Sequence, residues 1–251
     1  MIGSRRTRST IGVSALAVAA IAVTGIGTAE AGKPGGGRDR LPQGGEVVHL
    51  NPSDFSTRID NRYWPMRPGS RWVYRERGEN GRTQRVTVTV THRMRKVAGV
   101  RARIVHDVVT QGGKLVEETW DWYAQDSAGN IWYLGEDTTE HQDGGTSREG
   151  SWEAGVDGAQ AGVIMPARPR VGLRYRQEYY AGHAEDRAQI ASLHGRAVVS
   201  FGRFSDVLVT RDTNPLKKGP AEHKYYAKGI GPVLGVSGGG SREELVSFHK
   251  G

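Results

Sequence analysis

Aromatic and acidic residues alternate between positions 119 and 140, a stretch that holds three of the six tryptophans of the chain. Indole rings stack on sugars and apolar ligands, while carboxylates bind calcium or act as acids and bases in glycoside hydrolysis. The stretch is therefore the first candidate for a binding or catalytic surface. The candidate ligand-binding residues are Trp120, Asp121, Trp122, Trp132, Tyr133, Glu136 and, further along the chain, Tyr225.

A turn divides this stretch into two predicted strands. Asp126 and Gly129 suit the first and last positions of a type I turn, and Asn130, which follows, tolerates unusual backbone angles. Because side chains alternate along a strand, Trp120 and Trp122 share one face and Asp121 lies on the other. Two interpretations stay open: the indoles pack inward as core, or they face outward and line a groove.

No catalytic residue is assigned from the sequence. A carboxylate pair made of Asp121 with Glu136 or Glu153 is a hypothesis for glycoside hydrolysis, although nothing in the sequence fixes the separation of the two groups. Ser237 lies in a G-x-S-x-G pattern, but only fourteen residues follow it. That pattern needs a strand, a sharp turn and a helix, with an acid and a histidine downstream. We interpret it as a glycine-rich loop.

The metal-binding prospects are limited. The chain has no cysteine, and it has no H-E-x-x-H pattern, so a zinc site is not predicted. No cofactor is predicted. A dispersed Ca²⁺ site is an alternative for the abundant carboxylates, with Asp126, Asn130 and Asp137 as its weak candidates.

The dominant hydrophobic period is two. The run from Arg85 to Thr91 alternates valine with threonine, which is typical of a half-buried antiparallel strand. We predict an all-β fold: a single antiparallel barrel or a strongly curved, half-barrel-like sheet with at most one short helix. Residues 184–194 are the one segment that could form that helix. The predicted strands cover residues 71–77, 85–91, 101–110, 115–124, 131–142, 145–153, 174–180, 196–201, 204–212, 223–227, 232–236 and 243–249.

The N-terminus predicts export. Arg5, Arg6 and Arg8 precede an uncharged apolar run, and Ala29 and Ala31 form a cleavage pattern. Residues 1–31 are therefore predicted to be a signal peptide, followed by a flexible Gly/Pro-rich linker at 32–54 and a β-rich domain at 55–251. The general secretory route is favoured over the twin-arginine route, and the cleaved protein is predicted to be secreted without stable membrane insertion.

The net charge is +8. The basic residues of the chain are scattered among carboxylates, and this distribution argues against nucleic-acid binding. The positive net charge indicates mild attraction to anionic envelope polymers. The sequence does not fix the oligomeric state.

The chain contains five distinctive segments: YWPMRPGSRWVY, DWYAQDSAGNIWYLGEDT, SWEAGVDGAQAGVIMPARPRVG, YRQEYY and EHKYYAKGIGPV. These segments resemble an uncharacterised family of secreted bacterial β-rich proteins over roughly residues 63–246. The resemblance implies secretion and a single β-rich domain, but no activity and no catalytic residue. A further likeness of residues 225–231 to a closing hairpin of half-barrel-like envelope proteins concerns the fold alone.

Together these patterns predict a secreted binding protein that cradles a cell-wall glycan or an amphiphile on a curved, aromatic-lined sheet. A structural surface protein without a small-molecule site and a carboxylate-dependent polysaccharide hydrolase are the alternatives.

Overall fold

The structure is a computed structural model that describes residues 40–79, 81–142, 144–217 and 219–251. The predicted signal peptide and the first part of the predicted linker lie outside these residues. Within the described chain, no helix is long and apolar enough to cross a membrane.

The fold is all-β, which confirms the predicted fold class. In the described ranges the helical structure is a single 3₁₀ turn, Pro52–Asp54. The sixteen strands are β1 Phe55–Ser56, β2 Arg71–Arg77, β3 Thr83–Val97, β4 Val100–Gln111, β5 Lys114–Asp126, β6 Ile131–Gln142, β7 Gly145–Ser147, β8 Trp152–Glu153, β9 Gln160–Met165, β10 Arg174–Arg176, β11 Glu178–Tyr179, β12 Arg187–Val199, β13 Gly202–Thr213, β14 Glu222–Ala227, β15 Gly231–Ser237 and β16 Arg242–His249.

Thirteen of the strands form one continuous antiparallel order that nearly closes into a barrel. The order is β10-β12-β13-β14-β15-β16-β2-β3-β4-β5-β6-β9-β11, and β1, β7 and β8 pair at its side. The two edge strands, β10 and β11, are consecutive in the chain and are separated only by Gln177. Residues 174–179 therefore form one extended segment that pairs with β12 at one end of the strand order and with β9 at the other. A Cβ atom at Gly162 would lie 2.2 Å from the Gln177 carbonyl oxygen, so this closure requires a glycine.

The segment considered for a helix, residues 184–194, is not helical. Its larger part belongs to β12, which pairs with β13 through several bulges. Ala188 and Ile190 are both buried and are two residues apart, which matches the strand period rather than the helical one. Strand β9 was not predicted.

The predicted linker is described from Arg40 onward, and this part packs against the barrel. Pro42 is buried, and its carbonyl accepts a hydrogen bond from the Arg176 backbone at 2.7 Å. The buried Arg176 guanidinium donates to the carbonyl oxygens of Gly44, Glu46 and Ala161. These bonds tie residues 42–46 to the closing segment.

The inner face of the barrel carries two kinds of surface. On β2, Trp72, Tyr74 and Glu76 point inward and are buried, while Arg71, Arg75 and Arg77 point outward and are exposed. The inner face is thus apolar along part of each strand and acidic along the rest. We call the first part the apolar zone; its members are Trp72, Tyr74, Val86, Val88, Leu208, Tyr226 and Leu245.

Candidate functional site: the acidic ring

The structure places the hairpin residues on opposite faces of the barrel wall. Asp121 pairs with Glu136 across β5 and β6, and Tyr123 pairs with Tyr133. These four side chains are buried and point into the barrel. Trp120, Trp122 and Trp132 lie on the outer face of the barrel wall. The three indoles therefore share one face, as predicted, but this face does not point into the barrel.

The outer indoles are largely covered. Trp122 is buried beneath Arg95, whose guanidinium carbon lies 4.0 Å from the ring centroid. Trp132 donates from its indole nitrogen to Asp126 at 2.8 Å and packs edge-on against Phe55. A continuous open stacking platform is therefore not formed by these residues.

Trp120 is the one tryptophan of the six that is not fully buried. Its ring stacks on His106 with centroids 3.8 Å apart and lies 5.1 Å from the Arg93 guanidinium carbon. The Glu118 carboxylate lies 2.8 Å from the Nε2 atom of the His106 imidazole. The Trp120 indole and the His106 imidazole thus already have partners within the chain.

Local backbone geometry positions the inner pair. Gly135 has a φ of 133°, and a Cβ there would lie 2.3 Å from the Trp152 carbonyl oxygen. This glycine lets β8 approach β6, where Trp152 pairs with Glu136. A bulge between Asp121 and Tyr123 adjusts the register on the opposite strand. The Tyr133 hydroxyl then donates to Asp121 at 2.7 Å.

Asp121 and Glu136 belong to a larger set of inward-facing carboxylates that follows the circumference of the barrel. Neighbouring strands bring some of them directly opposite one another, as with Glu76 and Glu243 or Asp212 and Glu222. We call this set the acidic ring; its members are Glu76, Asp107, Glu117, Asp121, Glu136, Glu178, Asp186, Asp212, Glu222 and Glu243.

Burial makes several members of the ring weak acids. It raises the pKa of Glu76 to about 8, and the charges of Glu222 and Glu117 add to this shift. Burial raises the pKa of Asp121 to about 7 even though the hydrogen bond from Tyr133 acts in the opposite direction. Burial also raises the pKa of Asp186 to about 7. These groups take up protons near neutral pH.

Other members hold their protons more tightly. Burial raises the pKa of Asp107, Glu136, Glu178 and Glu243 well above the usual range. In each case a neighbouring carboxylate of the ring raises the pKa further. The ring is therefore a continuous electrostatic unit rather than a series of separate acids.

Many oxygens of the ring have no hydrogen-bond partner within residues 40–79, 81–142, 144–217 and 219–251. Eight carboxylate side chains leave a buried oxygen without one in the described chain, and both oxygens of Asp107 are unpartnered. The buried hydroxyl of Tyr175 is also without a partner among these residues. Buried polar groups in folded proteins are normally satisfied, and each exception needs a physical explanation.

Lys224 forms ion pairs with members of the ring, and the charge of Lys217 also acts on Glu178 and Asp186. The Lys224 ammonium lies 3.4 Å from Asp212 and 3.5 Å from Glu222. Burial alone would lower the pKa of Lys224, but these carboxylates outweigh that effect and hold its pKa well above the usual value. The side chains of Lys224 and Glu222 retain 15% and 25% of their exposure, so the ring reaches solvent here.

The remaining candidates lie away from the ring. Asp126 accepts hydrogen bonds from Asn130 and Trp132 and thereby fixes the hairpin turn, and Asp137 pairs with Arg148 on the surface. Among the described residues, no group of three or more His, Asp or Glu side chains is arranged to hold a metal ion. A Ca²⁺ site at Asp126, Asn130 and Asp137 stays a prediction. Tyr225 is half-buried, on the strand face opposite that of Lys224.

Most of the ring was missed by the sequence analysis, although a signal for it exists. Several of the carboxylates occur in phase with buried apolar residues of their own strand, as Glu76 does with Trp72 and Tyr74, and Glu243 with Leu245. An acid on the apolar phase of a strand indicates a buried carboxyl.

Comparisons with known proteins assign no family. No family model matches the chain, and no curated protein matches it. A solved structure from Bacteroides fragilis NCTC 9343, described as a "putative exported protein with YMCC-like fold", matches with a TM-score of 0.43 and 11% identity over 75% of this chain and 99% of that one. A "putative lipoprotein" from Parabacteroides distasonis ATCC 8503 matches with a TM-score of 0.40 and 10% identity over the same shares. These descriptions belong to those two proteins.

Proposed function

We propose that this protein is a secreted binding protein that takes up a small amine-bearing ligand, such as a polyamine or an amino sugar, at the acidic ring. Secretion follows from the predicted signal peptide. An amino sugar belongs to the glycans expected from the sequence, but the binding surface is the barrel interior rather than the outer tryptophans.

The observation that carries the proposal is the imbalance between acceptors and donors in the ring. Lys224 contacts two of the ring carboxylates, and eight carboxylates have a buried oxygen without a partner. Leaving a buried polar group unsatisfied costs about 1–3 kcal/mol. Ammonium groups supply several hydrogen-bond donors and a positive charge, so they offset this cost better than a neutral ligand of the same size.

Entry is proposed at Glu222 and Lys224. Both side chains are more exposed than that of Asp212, which lies beside them. A cationic ligand arriving here would replace the Lys224 ammonium at one carboxylate and then reach the deeper acids.

Isothermal titration calorimetry of the purified protein tests the proposal. Spermidine is expected to bind more tightly as the pH rises from 6 to 8.5, because Glu76, Asp121 and Asp186 ionise in this range and then attract the cation. Glucosamine at a pH where its amine is charged is expected to bind, and N-acetylglucosamine, which lacks the charge, is not. Equal binding of these two sugars, or no binding of either amine, would contradict the proposal.

Two variants locate the site. Glu136→Gln keeps the side-chain shape but removes a carboxyl group that can ionise when the cation binds, and it is expected to weaken spermidine binding by about tenfold, or 1.4 kcal/mol. Glu149→Gln is the matched control, since Glu149 is exposed on the surface. Equal weakening by the two substitutions would show general electrostatic attraction instead of binding at the ring.

A second candidate function is carboxylate-dependent hydrolysis. The observation in its favour is that Asp121 and Glu136 are directly opposite on neighbouring strands and both have raised pKa values. Their burial argues against a polysaccharide substrate, because a polymer chain needs an open cleft to reach both groups. Release of reducing sugar from envelope polysaccharides, abolished by Glu136→Gln, would favour this candidate over the binding role.

A further inference from the structure

A second concave surface lies on the outside of the barrel, away from the acidic ring. It consists of two adjoining cavities of about 740 and 320 Å³ that share Leu41, Arg170 and Leu173. We call it the arginine groove; its basic members are Arg40, Arg168, Arg170 and Arg174.

Among the residues that the structure describes, the arginines of the groove have no acidic partner. None of the ion pairs within the described ranges includes these four arginines, and no carboxylate lines either cavity. Four guanidinium groups without acidic partners create a strongly positive local potential, and guanidinium matches carboxylate and phosphate groups geometrically.

The floor and one rim of the groove are apolar. Leu41 and Leu173 are partly buried against the core, and Val171 is 63% exposed between the arginines. An exposed β-branched residue beside unpaired arginines suits a ligand that has both an apolar and an anionic part.

The walls of the groove are held in place by the barrel. Ile190 on β12 exchanges backbone hydrogen bonds with Gly172 and Leu173, both at 2.9 Å. Gln43 donates from its side chain to the carbonyl oxygens of Leu41 and Arg174 and so joins the two walls. The third side is fixed by Asn130, which accepts from the Ala167 backbone at 2.8 Å. The groove is therefore preformed, which reduces the ordering cost of binding.

We propose that the arginine groove binds a single-chain anionic amphiphile, with its carboxylate or phosphate head on the arginines and its acyl chain along Leu41, Val171 and Leu173. A concave surface with an apolar floor favours one molecule over a flat membrane. The charge of the arginines selects against cationic amphiphiles of the same chain length.

Calorimetry with three probes tests this assignment on the purified protein. Dodecyl phosphate below its critical micelle concentration is expected to bind, dodecyltrimethylammonium is not, and inorganic phosphate is expected to bind at least about tenfold more weakly because it lacks the chain. Equal affinity for the two dodecyl compounds, or for phosphate with and without the chain, would overturn the proposal, as would no binding of dodecyl phosphate.

Substitutions assign the binding to the groove. Arg170→Gln with Arg174→Gln is expected to weaken dodecyl phosphate binding by at least about tenfold, and Val171→Ser by a smaller factor. Arg203→Gln, at an exposed arginine outside the groove, is the control and is expected to change the affinity by less than about twofold. Equal effects of the control and the groove variants would overturn the proposal. Spermidine binding is expected to persist in the groove variants, because the acidic ring is a separate site.

Discussion

The apolar zone and the acidic ring line the same barrel wall and are built from the same strands, but they differ in how their buried polar atoms are partnered. A single residue, Arg75, separates Tyr74, which belongs to the apolar zone, from Glu76, which belongs to the ring. In the apolar zone the side chains fill space against one another, and the Tyr74 hydroxyl has its partner, the Pro232 carbonyl oxygen at 3.0 Å. In the ring, eight of the ten carboxylate side chains have a buried oxygen without a partner among the described residues.

This difference teaches that burial alone does not identify the stabilising part of a barrel. Burying apolar groups stabilises the fold by about 25 cal/mol per Å² of surface removed from water, whereas burying carboxyls without partners costs free energy. The ring is therefore maintained at the expense of stability. Groups of that kind are concentrated at functional sites in folded proteins.

The largest expected effect is a loss of stability in the apolar zone. Leu245→Ala creates a cavity at a fully buried position and is expected to lower the free energy of unfolding by about 2–5 kcal/mol. Guanidinium denaturation measures the effect. A loss below about 1 kcal/mol would mean that this zone does not act as the core.

Removal of the cation from the ring is expected to have a smaller effect. Lys224→Met leaves Asp212 and Glu222 without their ammonium partner and should destabilise the protein at pH 7 by about 1–3 kcal/mol. An increase in stability at pH 7 would contradict the claim that Lys224 stabilises the folded protein.

The pH dependence of stability separates the two regions further. The pKa of Glu76 is about 8 in the folded protein, against an ordinary value of 4.5, so the folded state binds its proton more tightly than the unfolded state. This contribution is fully present at low pH and is lost as the pH rises from about 4.5 through about 8. Glu76→Gln should therefore be more stable than the wild type at pH 8.5, relative to the difference at pH 5, by at least about 1.4 kcal/mol, the value of one pKa unit.

Thermal unfolding across this pH range measures the difference. Glu149→Gln, on the exposed surface, provides the control and should follow the wild-type pH dependence. Parallel curves for the wild type and Glu76→Gln would contradict a protonated Glu76 in the folded state.

The smallest expected effect concerns the outer face of the same hairpin. Because Trp120 is the one tryptophan that is not fully buried, iodide quenching of tryptophan fluorescence should fall strongly in Trp120→Phe and little in Trp122→Phe. Similar quenching in the two variants would mean that the Arg95 cover over Trp122 opens in solution.

The sequence predicted the period, the turn and most of the strands, because each depends on local side-chain alternation or turn chemistry. The turn at residues 126–130 forms through the Asp126 side chain, and the indoles share one face. The sequence could not determine which face of the hairpin points inward, since one face carries indoles and the other carries tyrosines with acids. Burial of the indoles depends on Arg95, Phe55 and other residues distant in the sequence.

The ring could be predicted only in part for a related reason. Asp121 and Glu136 were selected because they lie beside tryptophans in one hairpin. Asp107, Asp212 and Glu243 come from separate strands, and only the register between those strands brings them onto one circumference. Cross-strand register is a tertiary property, which a single sequence specifies weakly when both strand faces contain polar and apolar residues.

Infrared difference spectroscopy tests the central claim most directly, by comparing the purified protein with and without spermidine at pH 7. The account predicts that binding removes absorption of protonated carboxyl groups and adds absorption of carboxylates, because the cation favours the ionised form of the ring acids. The change should be smaller in Glu136→Gln and unaltered in Glu149→Gln. Spermidine binding without any carboxyl signal, or with the same signal in both variants, would contradict a ligand site at the acidic ring.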